Sequence, residues 1–285
     1  MVLRILIIAV TVSAVIFFGG CGKYPVDSGL TATQQWLDYE RYSEYKVVKK
    51  EFMAGNYEQV ITDGTEFVRH YANDLELEVE EMQYLIAESY FLLGRYDFAV
   101  REYKKVALNY PYSTFCPLSM MGEGNCYRLS SRYTLNEAIT QYQAFIEKFP
   151  QHNSAAEAQF RIGECRYRAA STEVEFDAAV ADLKKTLEKY PLTLNSEVSR
   201  QTNLYLGKCY EERPVPDYPV AIQYYQAFVL GNDTYLAGDV FYRIGVLYQE
   251  KLLDSAEAKN AYYSVITHFA NSTYYNEALV RYNAL

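Results

Sequence analysis

One frame recurs along this chain. Ala99-x3-Tyr103-x7-Pro111 returns as Ala138-x3-Tyr142-x7-Pro150 and again as Ala179-x3-Leu183-x7-Pro191. Weaker copies follow at Ala221-x3-Tyr225 and Ala258-x3-Tyr262, and one precedes at Val60-x3-Gly64. A spacing of four sets each anchor pair on one face of a helix. Offsets of 37 to 42 residues between successive anchors are those of a repeat array. A second frame lies before each anchor: Ile86-Ala87-x2-Tyr90, Glu123-Gly124-x2-Tyr127, Leu206-Gly207-x2-Tyr210 and Ile244-Gly245-x2-Tyr248. The Ile162-Gly163 copy has Arg166 in place of Tyr, with Tyr167 beside it. The small residue lets two helices approach closely. Each unit therefore reads as helix A, short turn, helix B.

Only 8 Pro and 14 Gly occur in 285 residues, which favours helices, and no strand pattern is evident. The two frames resemble the tetratricopeptide repeat, whose pattern is L-G-x2-Y, then A-x3-F, then P. The resemblance runs over residues 36–285. It implies an all-α, tetratricopeptide-type helical-repeat solenoid of five to six antiparallel helix pairs plus a closing helix from Ser272 to Leu285. Capping boxes are expected at Thr31/Gln34, Thr134/Glu137, Ser154/Glu157 and Asp254/Glu257.

The first twenty residues stand apart. Arg4 is the only charge before Cys21, and Ile5 to Phe18 is almost wholly apolar. That run is short for a membrane span but suits a secretory signal. It ends in Phe18-Gly19-Gly20-Cys21, which resembles a bacterial lipobox with Phe18 where Leu is usual. The resemblance implies cleavage before Cys21 and lipidation of its thiol, several acyl chains making a stable anchor. An ordinary signal peptide cut near Gly20, or an uncleaved anchor, stays open. Residues 1–20 are thus a signal peptide and 21–35 a tether, with polar Gly22 to Leu30 carrying Pro25. Gly22 stands where inner-membrane lipoproteins carry Asp, and by that resemblance the chain belongs on the periplasmic face of the outer membrane.

Composition narrows the chemistry. Lys and Arg total 27 against 36 Asp and Glu, a net charge of −9, which argues against a nucleic-acid partner. Cys126, Cys165 and Cys209 each sit two residues after the helix A glycine, a slot held elsewhere by Ser89 and Leu247. A slot that accepts Cys, Ser or Leu is a packing slot. Cys116 and Cys126 could pair only if Cys116 lies in a loop, because ten residues of one helix separate them by ~15 Å. His70 and His268 share a place in the last turn of helix B, where a cation suits the helix dipole, and His152 follows Pro150. The three do not converge. No metal site, cofactor or catalytic group is expected, and the chain reads as a non-enzyme.

In tetratricopeptide families the groove stripe lies at −3, +1 and +4 from the small residue. The resemblance assigns it here to Tyr84, Glu88 and Phe91, to Met121, Asn125 and Arg128, to Phe160, Glu164 and Tyr167, and to Lys208 and Glu211. Many of these could instead pack on the next repeat. A lipobox, a short tether and long repeats together resemble the BamD family, the lipoprotein of the β-barrel assembly machinery. Tyr110-Pro111-Tyr112-Ser113, Phe149-Pro150-Gln151-His152 and Leu93 to Val100 carry the likeness, which is good over residues 55–165 and generic after. It implies an outer-membrane-anchored scaffold that binds the periplasmic domains of the barrel-forming assembly protein and meets unfolded barrel substrates. The alternatives are a secretin pilotin and a Tol-associated envelope factor.

Overall fold

The computed structural model describes residues 32–72, 77–190, 196–231 and 234–285. The expected signal peptide, Cys21, residues 21–31 of the tether, the Thr31/Gln34 box and Pro191 lie outside the described residues. The chain divides into two compact units, residues 1–43 and 44–285. In the first, the described residues 32–43 are helical and begin α1 (Ala32–Met53).

The second unit carries the rest of α1 and twelve further α-helices: α2 (Tyr57–His70), α3 (Leu77–Leu92), α4 (Tyr96–Asn109), α5 (Phe115–Leu129), α6 (Leu135–Lys148), α7 (Ala155–Ala169), α8 (Glu173–Lys189), α9 (Glu197–Glu212), α10 (Tyr218–Val229), α11 (Tyr235–Leu247), α12 (Ser255–His268) and α13 (Tyr275–Ala284). A π-helical turn, Tyr248–Leu252, extends α11. From α2 onward each helix packs on the next, and α3 also meets α5 and α7 meets α9. Five complete A/B pairs, α3/α4 to α11/α12, precede α13, and α2 packs on α3 as the B helix of an earlier unit.

The repeated anchors are the core. Val60, Ala99, Tyr103, Ala138, Tyr142, Ala179, Leu183, Ala221, Tyr225, Ala258 and Tyr262 are all buried. Burying a Leu or Phe such as Leu183 or Phe145 contributes on the order of 1.5–3 kcal/mol relative to exposure. From the α5/α6 pair on, each B-helix anchor lies across an A-helix glycine. A Cβ on Gly124 would stand 2.6 Å from the Tyr142 ring, and one on Gly207 or Gly245 as close to Tyr225 or Tyr262. Gly163 faces Leu183 in the same way. In the α3/α4 pair the A slot is Ala87, and room for Tyr103 comes instead from Gly122 on α5, which the frame had not singled out.

The cysteine slot is a packing slot as expected. Cys126, Cys165 and Cys209 are fully buried, as are Ser89 and Leu247. Cys116 lies on α5 with Cys126, and both are free thiols. Burial pushes the Cys165 thiol up to about 11 and Cys209 up to about 12. The histidines sit in three separate turns. His70 stacks on Tyr71, His268 meets the Thr267 hydroxyl, and His152 Nδ1 accepts from the Ser154 backbone N–H.

That last bond corrects one expected cap. Ser154 has ψ near 2° and makes no side-chain cap, because the turn before α7 is closed by His152. Thr134/Glu137 is a full capping box, and Asp254 accepts from Ala256 and Glu257 N–H. A second full box at Thr172/Glu175 starts α8. Gly55 and Gly94 close α1 and α3 with positive φ, the following N–H reaching five residues back in each case, as in a Schellman cap. After α11 the same left-handed place falls to Leu253, at φ 55°.

Ion pairs join successive A/B turns. Arg95 binds Glu58, Arg132 binds Asp97 at 2.8 Å, and Arg213 binds Asp177 at 2.8 Å. The acid lies near the start of a B helix, where the dipole favours it, and the arginine comes from the next unit's turn. Arg132 is exposed to solvent, which screens that pair and makes it weak.

Candidate partner-binding face

The A helices present one continuous face, and its side chains bond from helix to helix. On α3, Tyr84, Glu88 and Phe91 are half-buried. Glu88 accepts from Tyr103 Oη at 2.6 Å. The Tyr84 ring stacks on Phe115 of α5 at 5.3 Å, and Phe91 packs on Tyr96 at 5.6 Å. Burial, then the Glu88 charge, pushes both tyrosine hydroxyls well above their ordinary pKa.

On α5, Asn125 Oδ1 accepts from Tyr142 Oη at 2.7 Å. Arg128 reaches α7, where its Nη1 lies 3.4 Å from Glu164. Glu164 also takes Arg161 Nη1 at 2.9 Å and Tyr205 Oη at 3.3 Å. Burial, then Glu164, raises the Tyr205 hydroxyl to about 12. Phe160 and Tyr167 both meet the Tyr205 ring edge-on, and Tyr167 Oη donates to Glu212 at 2.6 Å. On α9, Glu211 accepts from Tyr225 Oη at 2.6 Å and pairs with Arg243 of α11. Lys208 lies over the Tyr205 ring, its ammonium 4.9 Å from the centroid.

The structure therefore brings the eleven candidates into one band but leaves none of them fully exposed. Seven are half-buried. Met121, Phe160, Glu164 and Glu211 are buried, at 6%, 3%, 5% and 7% exposure, and are corrected from open contacts to parts of the seam between A helices. The physical reason is the stacking of units: Arg128 of α5 reaches Glu164 of α7, Tyr205 of α9 reaches the same carboxylate, and Glu211 of α9 pairs with Arg243 of α11, so these side chains meet the next unit before they meet solvent.

Sequence reasoning missed Arg161, Tyr205 and Arg243. Each stands two residues before its unit's glycine, three before the +1 position, and hence on the same helical face. That period was present in the sequence. Arg161 pairs with Glu164 three residues on, which spacing alone shows, but the bonds of Tyr205 to Glu164 and of Arg243 to Glu211 cross between helices and were not legible. Among the described residues no three His, Cys, Asp or Glu side chains gather to hold a metal, and no helix is long and apolar enough to cross a membrane.

Comparison with known proteins agrees with this geometry. Residues 81–113, 157–193 and 239–272 match the tetratricopeptide repeat family model, each segment falling on one A/B pair. No curated protein matches the sequence. Among solved structures, the C-terminal part of a TPR repeat-containing protein from Cytophaga hutchinsonii is 18% identical, with TM-score 0.62 over 84% of each chain. PilW, described as a widely conserved type IV pilus biogenesis factor, is 15% identical, with TM-score 0.58 over 84% of this chain and 98% of its own. PilF of Pseudomonas aeruginosa is also 15% identical, with TM-score 0.56 over 85% and 98%. At these identities the likeness is one of fold. The protein is an all-α helical-repeat solenoid, three of whose helix pairs match the tetratricopeptide repeat model.

Proposed function

We propose that this protein is a lipid-anchored envelope scaffold that holds partner proteins on the face of its A helices and serves β-barrel assembly at the outer membrane. The observation that carries the scaffold reading is the continuous row of half-buried aromatic, amide and charged side chains across α3, α5, α7 and α9. Flat rings supply contact area at low entropic cost, and the amides and charges align a partner's backbone. The assembly-machinery role rests on the sequence likeness over residues 55–165. Within it, Ser113 Oγ accepts from Phe115 N–H and starts α5, while Tyr112 projects fully exposed from the same turn.

Charge adds a preference. Residues 57–109 hold eleven Asp and Glu against five Lys and Arg, so two thirds of the net charge of −9 falls on α2 to α4 and the segment between them. A basic patch on a partner complements that segment and is steered to it. The membrane anchor of this reading is the lipid on Cys21.

The test is a mild-detergent pull-down from membranes through a C-terminal tag. Recovery of a barrel-forming membrane assembly protein, with loss of outer-membrane barrels on depletion, is the expected result. Unchanged barrel levels after depletion would sink the assembly role. Recovery of a secretin, with loss of secretin multimers alone, would give the chain the second reading, a pilus-related factor, which the likeness in fold to PilW keeps in view. Recovery of Tol-system proteins would move it to envelope coordination.

A further inference from the structure

The turns that lead from each B helix to the next A helix lie along one edge of the stacked pairs, and part of that edge is charged unlike the chain as a whole. The last two turns of α4, α6 and α8 hold six lysines, Lys104, Lys105, Lys148, Lys184, Lys185 and Lys189, against two carboxylates, Glu147 and Glu188. The whole chain carries a net −9. Cations there suit the C-terminal ends of three helix dipoles. Lys104 and Lys105 touch Glu123 and Glu102, yet more than half of each lysine side chain stays exposed. The A helices α7 and α9, which start at this edge, add two carboxylates. Each is already paired on its own helix, Glu157 with Arg161 at 3.1 Å and Glu197 with Arg200 at 2.8 Å.

Apolar groups are presented from the same edge. Leu108, at the end of α4, is 80% exposed, and Tyr112, in the turn that follows, is fully exposed. Neither is carried on a loose segment. Leu108 stands between buried Val106 and buried Tyr110, and Ser113, beside Tyr112, is buried with its N–H on the Tyr110 carbonyl at 3.0 Å. A turn pinned on both sides holds the Tyr112 ring outward at little further entropic cost. Lys148 stands close by, its ammonium 3.6 Å from Cys116 Sγ in the first turn of α5. A tyrosine ring, an aliphatic side chain and a surround of lysines suit a membrane interface: the apolar parts enter the headgroup layer and the ammonium groups meet anionic lipid. The opposite edge lacks this chemistry, because Asp97, Glu137, Glu173, Glu175 and Asp177 gather near the starts of α4, α6 and α8.

The chain also enters the second unit at the basic edge. Tyr45 Oη donates to Glu81, in the second turn of α3, at 2.6 Å, and Lys49 pairs with the same carboxylate at 2.8 Å. Residues 21–31, between Cys21 and α1, amount to at most about 40 Å of extended chain.

We propose that this edge rests on an anionic lipid surface, with Leu108 and Tyr112 entering the headgroup layer and Lys105, Lys148, Lys185 and Lys189 meeting its anionic headgroups. The inference rests on the lipid-anchored reading and gives it an orientation, one that leaves the A-helix face free for partners.

The test uses the full chain purified from membranes and reconstituted into vesicles that carry a nitroxide quencher on the lipid headgroup. A bimane on Gln151→Cys, exposed in the turn after α6, reads the contact, and one on Val215→Cys, exposed in the turn between α9 and α10, is the control. The four described native thiols are buried and stay out of the labelling. In phosphatidylglycerol-containing vesicles the Gln151 label should be quenched roughly twofold or more beyond the Val215 label, and in pure phosphatidylcholine most of that difference should vanish. Lys105→Gln, Lys148→Gln and Lys189→Gln together should also remove it with an unaltered thermal melt, and Tyr112→Ser should lessen it. Equal quenching of the two labels, equal quenching in the two lipids, or indifference to the triple substitution overturns the proposal. Shielding of the Gln151 label in native membranes but not in protein-free vesicles would give the edge to an acidic protein and overturn it as well. Flotation of the vesicles keeps the two readings apart. A chain that floats with both lipids while its Gln151 label stays unquenched keeps the anchor and loses the edge contact. A chain that floats with phosphatidylglycerol vesicles alone, its Gln151 label quenched, keeps the edge contact and counts against the lipid on Cys21.

Discussion

Replacing Gly124 with Ala tests the packing rule on which every unit depends. On an exposed helix this change gains about 1 kcal/mol of helix propensity. Here the new Cβ would stand 2.6 Å from Tyr142 Cε1, 2.9 Å from Cδ1 and 3.0 Å from Cζ. The ring cannot swing aside cheaply. It is fully buried, and its hydroxyl is bonded to Asn125, the residue next to Gly124. Overpacking of this kind costs about 1–3 kcal/mol, and against the propensity gain the net expectation is a loss of up to roughly 2 kcal/mol. In a domain of this size that lowers the helical melt by up to roughly 8 °C. The assay is a double-mutant cycle read by circular dichroism melts and urea titration. Tyr142→Ala alone costs roughly 3–5 kcal/mol. In its background Gly124→Ala should be neutral or gain up to about 1 kcal/mol, because the obstruction is gone and the propensity gain remains. Gly163→Ala should cost more than Gly124→Ala, since its Cβ also meets the Leu183 backbone nitrogen at 3.1 Å. A stabilising Gly124→Ala, or an equal cost in both backgrounds, would refute the argument that the glycine is there to admit the ring.

Glu164→Ala should lose roughly 1–3 kcal/mol in urea titration, because Arg128 loses its carboxylate while Arg161 keeps Glu157; a neutral result would make Glu164 an open contact again. The Glu175 carboxylate accepts from the Ser171 backbone N–H and hydroxyl and from the Thr172 N–H, which holds its pKa down at about 2. Its folded value lies below an unfolded value of about 4.3, so its contribution is present above that pH and fades as pH falls toward 2. Glu175→Gln should therefore be less stable than the parent at pH 7, and the two melts should converge in that window. Leu253→Gly should gain roughly 0.5–1 kcal/mol in the same melts, the relief of a left-handed non-glycine residue outweighing the added chain entropy. Iodoacetamide at pH 8 should leave Cys116, Cys126, Cys165 and Cys209 unlabelled in the native protein, as mapped by peptide mass spectrometry, and label all four after denaturation.

The repeat frames alone determined that the chain forms stacked helix pairs, which residues face the core, and why cysteines sit where they do. Ala138 with Tyr142, or Gly207 with Cys209, announce their burial because helical periodicity fixes a side chain's direction before any tertiary contact exists. The caps at Thr134 and Asp254 were legible for the same reason, being local. The cap expected at Ser154 failed because His152, two residues upstream, competes for the same turn. The band of A-helix candidates was legible as a band but not as a surface. Whether Glu164 meets solvent or Arg128 depends on how closely α5 and α7 approach, which the stacking of whole units decides. The basic edge gathers Lys105, Lys148 and Lys189 from three separate helices. No periodicity within one helix encodes such a meeting. Stacking of successive units created it, because packing that buries each unit's apolar face also sets the ends of its helices along one edge.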